Sequence, residues 1–252
     1  MNLIDWILST FKRDWKDCAK ASCWSGHNAA QRMMNMLSPH MDKGTFESRV
    51  RWMKDRGCDT AHVFLANRRD GEFAGYCIYG PEWTWNIDKD YCELFAERIR
   101  YMRMKRLAVV AWLMADDSSQ YASAAAGDAP RYVKDLDKQG LLKLVSTVVA
   151  GLEMNEYWSG HQAGAMVQAI RSEYGGKIGT HMTSGRFDFA GLADICFYQV
   201  NPGQSAGWIQ GEAARVKAAC GKPLNFFEIE RQENRDKAQA ALDGGAFGVG
   251  NW

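Results

Sequence analysis

The chain has 252 residues, with 31 basic and 30 acidic side chains and a net charge of +1. That balance argues against a large polyanionic partner such as duplex DNA, which demands a basic face, and no apolar run in the sequence approaches the roughly 20 residues that a membrane span needs. Hydrophobic residues make up 46% of the chain, enough to bury a sizeable core, and the length suits a single α/β barrel of roughly 250 residues.

Leu3, Ile4, Ile7, Leu8 and Phe11 recur at helical spacing and predict a short amphipathic helix over residues 2–12. Residues 1–15 then form an N-terminal helical cap, and 16–252 remain for the barrel. This start lacks the basic residues and long apolar core of a secretion signal. Such a start fits a cytoplasmic enzyme and equally a phage-particle protein, and leaves the location open. Lys16–Ser25 is the first strand candidate, followed by a polar and aromatic loop through Trp24, His27 and Asn28. Ala29–Leu37 and Thr45–Lys54 read as helices, the second stopped by Gly57. Thr60–Ala66 is a strand that runs out into Asn67, Arg68 and Arg69. Gly75–Asn86, with Pro81, Trp83 and Trp85, reads as a long aromatic connection of the kind that carries function.

Asp88–Lys105 is a helix with Tyr91, Phe95, Ile99 and Met102 on one face, and Leu107–Leu113 is a strand ending before Asp116 and Asp117. Ala122–Asp128 is rich in small residues and reads as a loop. Pro130–Leu144 reads as a helix with proline in its first turn. Ser146–Met154 is a strand, His161–Tyr174 a helix, Lys177–Met182 a strand and Leu192–Val200 a strand. Trp208–Ala219 is a helix, Pro223–Ile229 a strand, Glu233–Leu242 a helix, and Ala246–Gly250 a last short strand. Eight apolar strands alternating with helices predict a parallel sheet covered on both faces, closed as a (β/α)8 TIM barrel.

Seven cysteines are scattered, with no C-x-x-C pair and no zinc-ligand spacing. They read as reduced buried thiols, with a Cys18–Cys23 or a Cys58–Cys77 disulfide left open. Gly244–Gly250 lacks the Lys-Ser/Thr that a phosphate-gripping loop carries. No metal and no cofactor are expected.

In such barrels the site lies at the carboxyl ends of the strands. The stretch Ser146–Trp158 is the most informative. It starts as a buried strand and ends in Glu153, Asn155, Glu156, Tyr157 and Trp158, and acids are rarely buried unless something uses them. Glu228 ends the seventh strand. The fourth and seventh strands lie on opposite sides of an eight-stranded barrel, so Glu156 and Glu228 can face each other across the mouth. His181, Thr183, Tyr198 and Gln199 end the strands between them. Two carboxyls, amides and aromatics suit glycoside hydrolysis, in which one acid protonates the leaving oxygen and the other attacks the anomeric carbon or activates water. Arg68, Trp158 and Glu230 complete the expected substrate contacts.

Met154-Asn155-Glu156 resembles the Asn-Glu pair of clan A glycoside hydrolases. The run from Gly221, Lys222 and Pro223 through Phe227 to Glu228 resembles that clan's seventh strand. Ala193–Tyr198 resembles its sixth, and Trp252 its eighth-strand tryptophan. The resemblance implies a retaining barrel enzyme in which Glu156 is the acid/base and Glu228 the nucleophile. It also implies that Asn155 binds the sugar 2-hydroxyl, Tyr198 hydrogen-bonds the nucleophile and Trp252 forms the sugar platform. The chain departs from the pattern at Phe227 and at Ile229-Glu230-Arg231. Because Glu230 shares strand parity with Glu228, either residue fits the nucleophile's place. The expected partner is a polysaccharide or oligosaccharide. The rival expectation is a non-catalytic carbohydrate-binding barrel within a phage or cell-surface assembly.

Overall fold

The structure, a computed structural model, describes residues 34–55, 58–68, 71–80, 86–115, 118–183, 186, 189–227 and 234–250, with backbone alone over 118–127. Its centre is a seven-stranded parallel sheet. The strands are β1 (Thr60–Phe64), β4 (Ala108–Trp112), β5 (Thr147–Val149), β6 (Lys177–Met182), β7 (Ile195–Gln199), β8 (Leu224–Phe227) and β9 (Gly248–Val249), in that spatial order. Every neighbouring pair is parallel. The remaining two strands, β2 (Ala66–Asn67) and β3 (Tyr76–Cys77), form an antiparallel hairpin at the end of β1.

The sheet is rolled. In a flat sheet β1 and β8 would stand five interstrand steps apart, about 24 Å at ~4.8 Å per step. Instead the His62 ring on β1 lies 5.4 Å from the Phe227 ring on β8 and 5.8 Å from Phe197 on β7. Contacts that close need the sheet curled around a common interior. The strand expected over Lys16–Ser25 and the helix over 2–12 lie outside the described residues. What is seen is seven consecutive strands of the expected eight.

The helices are α1 (Lys43–Asp55), α2 (Lys89–Met104), α3 (Ser118–Lys138), α4 (Met154–Tyr157), α5 (Gly160–Glu173), α6 (Ala206–Cys220) and α7 (Arg235–Asp243). Their starts are set by capping side chains, which accept orphan amide protons of the first turn. Asp88, Ser205 and Asn234 each accept from a backbone N–H three residues on. Ser159 and Gln162 form a reciprocal capping box on α5. The first of the seven starts earlier than Thr45 because Asp42 takes both the backbone and hydroxyl donors of Thr45. Gly221, at φ 62, ends α6 in the left-handed conformation that favours glycine.

Three readings of the sequence are corrected. Ala122–Asp128 belongs to α3 rather than to a loop; alanine has the lowest cost of any residue in a helix, and the helix continues through Pro130. The stretch Gly75–Asn86 opens with a strand, since Tyr76 and Cys77 pair with Asn67 and Ala66. Cys58 and Cys77 are both buried free thiols, so the disulfide between them is not formed.

Candidate active site

Side chains of one strand parity fill the rolled interior. Trp112 packs its ring against His62, His181, Phe197 and Phe227 at 5.2–6.0 Å. Gly179 on β6 makes room for this layer, because a Cβ there would stand 2.5 Å from the Phe197 ring. Trp112 Nε1 donates to His62 Nδ1 at 3.1 Å. The backbone N–H of Glu153 donates to His181 Nδ1 at 2.8 Å. Each imidazole therefore carries its proton on Nε2, and neither Nε2 has a hydrogen-bond partner among the described residues. Burial pushes both histidines down to about 3, with the neighbouring His62 adding to the shift of His181. They form a neutral, apolar floor under the strand ends.

Above that floor β5 breaks into a turn. The strand stops at Val149; four residues on, Glu153 takes the left-handed conformation, φ 45 and ψ 40, and Met154–Tyr157 closes one helical turn. A left-handed non-glycine residue is uncommon, and such strain clusters at functional sites. The Glu153 carboxylate reaches across to β7, where Gln199 Nε2 donates to its Oε1 at 2.9 Å. Burial, then the charge of Glu156, raises the Glu153 carboxyl above the ordinary range, and the Gln199 hydrogen bond offsets part of this.

Asn155 is 3% exposed and fully clamped. Its Nδ2 donates to Thr183 Oγ1 at 2.9 Å, and its Oδ1 accepts from the Thr183 N–H at 2.8 Å. The turn is thus tied to the ends of both β6 and β7, and Glu156 and Tyr157 stand exposed on its open side.

The remaining expected residues fall differently. Tyr198 lies under a helix. It alternates with Phe197 and Gln199, so strand parity turns it away from the interior and under α6. There it is fully buried and its hydroxyl donates to Glu212 Oε1 at 2.5 Å. Glu212 is itself gripped by Arg215, which holds the carboxyl below its usual range. Trp158 is buried too. It is 5% exposed and packs beside Gly151, so it offers no open ring face to a sugar. Arg68 is exposed beyond β2. Glu228, Glu230 and Trp252 lie outside the described residues. β8 is described as far as Phe227, which pairs with Gln199.

His181, Thr183 and Gln199 are the residues to which the sequence assigned no role. Their strand-end position was readable, but their grip on Glu153 and Asn155 depends on which strands lie side by side. Among the described residues, no group of three or more His, Cys, Asp or Glu stands where it could hold a metal ion. No helix among them is long and apolar enough to cross a membrane.

No protein-family model and no curated protein matches the sequence. Solved structures do match the fold. GH5_18 from Bifidobacterium longum subsp. longum superposes with a TM-score of 0.65 at 13% identity, over 93% of this chain and 69% of that one. The GH113 β-mannanase from Alicyclobacillus acidocaldarius gives 0.54 at 12% identity, over 93% and 85%. The family 1 β-glucosidase from Thermotoga maritima gives 0.59 at 9% identity, over 90% and 83%. The chain has the α/β architecture of these glycoside hydrolases.

Proposed function

We propose that the chain hydrolyses O-glycosidic bonds of a polysaccharide or oligosaccharide, with retention of anomeric configuration, by a two-carboxylate double displacement. One observation carries this reading. The β5 strand ends in a turn that sets Glu153, Asn155 and Glu156 at the carboxyl end of a rolled parallel sheet, where barrels of this kind do their chemistry. The shared architecture with glycoside hydrolases supports it.

In this reading Glu156 protonates the leaving oxygen, Glu228 attacks the anomeric carbon, and Glu156 then takes a proton from the incoming water. Glu156 is exposed, as a group that meets substrate from solvent must be. Asn155 is held by Thr183 at the sugar-facing turn. Glu230 is the alternative nucleophile by strand parity.

The test is a panel of glycans and aryl glycosides assayed with the wild type, Glu156→Gln, Glu228→Gln and Glu230→Gln. Glu156→Gln should lower turnover by about 10²–10⁴-fold. One of the other two variants should lose turnover and also escape labelling by a mechanism-based glycosyl fluoride. The first-formed product should keep the substrate's anomeric configuration by NMR. A wild-type protein that binds glycan, cleaves nothing and takes no label would leave a carbohydrate-binding barrel instead.

A further inference from the structure

The turn that carries Glu156 cannot hold itself. Met154–Tyr157 is a helix of 4 residues, and a single turn is far too short to be stable alone. The chain enters it through the left-handed Glu153. Such a conformation costs about 1–3 kcal/mol and persists only where surrounding contacts over-determine it.

Those contacts come from the end of β6. The Thr183 N–H can only donate, so the Asn155 atom it meets at 2.8 Å is the amide oxygen. The amide nitrogen then faces Thr183 Oγ1 at 2.9 Å and donates to it. One residue thus grips both ends of one planar amide, which fixes its place and its orientation together. Asn155 is 3% exposed, so water does not compete for these bonds. Two residues back on the same strand, His181 Nδ1 accepts from the Glu153 N–H at 2.8 Å. Entry and middle of the turn are therefore fastened to β6. Glu156 follows Asn155 directly and its side chain is exposed, so its carboxyl stands where the backbone beneath it is held.

We infer that Thr183 is a positioning residue for proton transfer: its two-point clamp on the Asn155 amide holds the turn so that Glu156 meets the leaving oxygen. The role of Glu156 rests on the glycosidase reading; the clamp does not. An acid must lie within hydrogen-bond reach of the oxygen as the bond to the anomeric carbon breaks, and a misplacement of about 1 Å can cost about 10²-fold. Thr183 acts through Asn155 and touches neither the proton nor the sugar.

The experiment compares Thr183→Val, which keeps the shape and removes the Oγ1 acceptor, with Thr183→Ser, which keeps the hydroxyl. Hydrogen exchange by NMR reads the turn itself. The Glu156 and Trp158 amides bond to the Glu153 and Met154 carbonyls at 2.9 and 2.8 Å. Their protection should fall by about 10-fold in Thr183→Val, the effect of about one hydrogen bond, and return in Thr183→Ser. Unmoved protection overturns the inference whatever the activity. In parallel, kcat/KM is measured for aryl glycosides with poor and with good leaving groups. Poor leaving groups need the acid and dinitrophenolate does not, so Thr183→Val should lower kcat/KM by about 10-fold or more on the poor ones and far less on the dinitrophenyl glycoside. Equal losses on both would mean a merely structural Thr183 and overturn the inference. Protection that falls in a protein that cleaves nothing would uphold the clamp and defeat the glycosidase reading. Turnover with unmoved protection would do the reverse.

Discussion

Glu153 and Glu156 are the two residues on which the site turns. A raised carboxyl is a cost to folding. As pH rises past the ordinary glutamate value of 4.5, Glu153 ionises first in the unfolded chain, so the folded state loses stability over that window. Glu153→Gln removes this loss while keeping the shape. The variant should therefore be more stable than wild type at pH 7, with the gain vanishing near pH 4, as read from urea midpoints. From the sequence, the resemblance singles out Glu156 as the reacting acid and leaves Glu153 a buried, supporting place, but what anchors Glu153 there is not legible in the spacing. That depends on Gln199 and His181, which are 46 and 28 residues away.

At the scale of elements, the turn after β5 is bounded on one side by the left-handed Glu153 and on the other by the cap of α5. The capping box is reciprocal: Ser159 Oγ accepts from the Gln162 N–H at 3.3 Å, and Gln162 Oε1 accepts from the Ser159 N–H at 2.9 Å. Ser159→Ala should cost about 1 kcal/mol in urea denaturation. It should also raise KM more than it lowers kcat, because it loosens where the site turn ends without touching its carboxyls. The α5 helix was legible in the sequence as His161–Tyr174, and the cap placed its start at Gly160. Tyr198 shows the limit of such reading. Its strand was correctly located, but a motif match could not fix which parity faces the interior. The register with β6 and β8 did so by placing Phe197 and Gln199 inside.

The whole molecule is held by its rolled interior, and that interior contains two neutral histidines. Both sit at about 3 when folded, against an ordinary value of 6.5. The unfolded chain therefore binds protons first as pH falls. Their contribution to stability is complete above about 6.5 and is lost as pH drops toward 3, by up to about 1.4 kcal/mol per pH unit for each histidine. Urea midpoints should fall steeply between pH 6 and pH 4, and His62→Gln should flatten that slope by about half. A slope unchanged in the variant would mean that His62 protonates freely in the folded protein.

The sequence by itself determined the strand and helix alternation, the parallel sheet and the strand-end stretch that carries Glu153, Asn155 and Glu156. These follow from local periodicity, turn residues and the misfit of acids at the end of an apolar run. Only the tertiary structure decided that β1 meets β8 across the interior, that Tyr198 and Trp158 pack rather than face the mouth, and that Glu153 is the anchored carboxyl of the turn. Each of those depends on contacts between residues far apart in the chain, and local spacing carries no record of which strands will roll together.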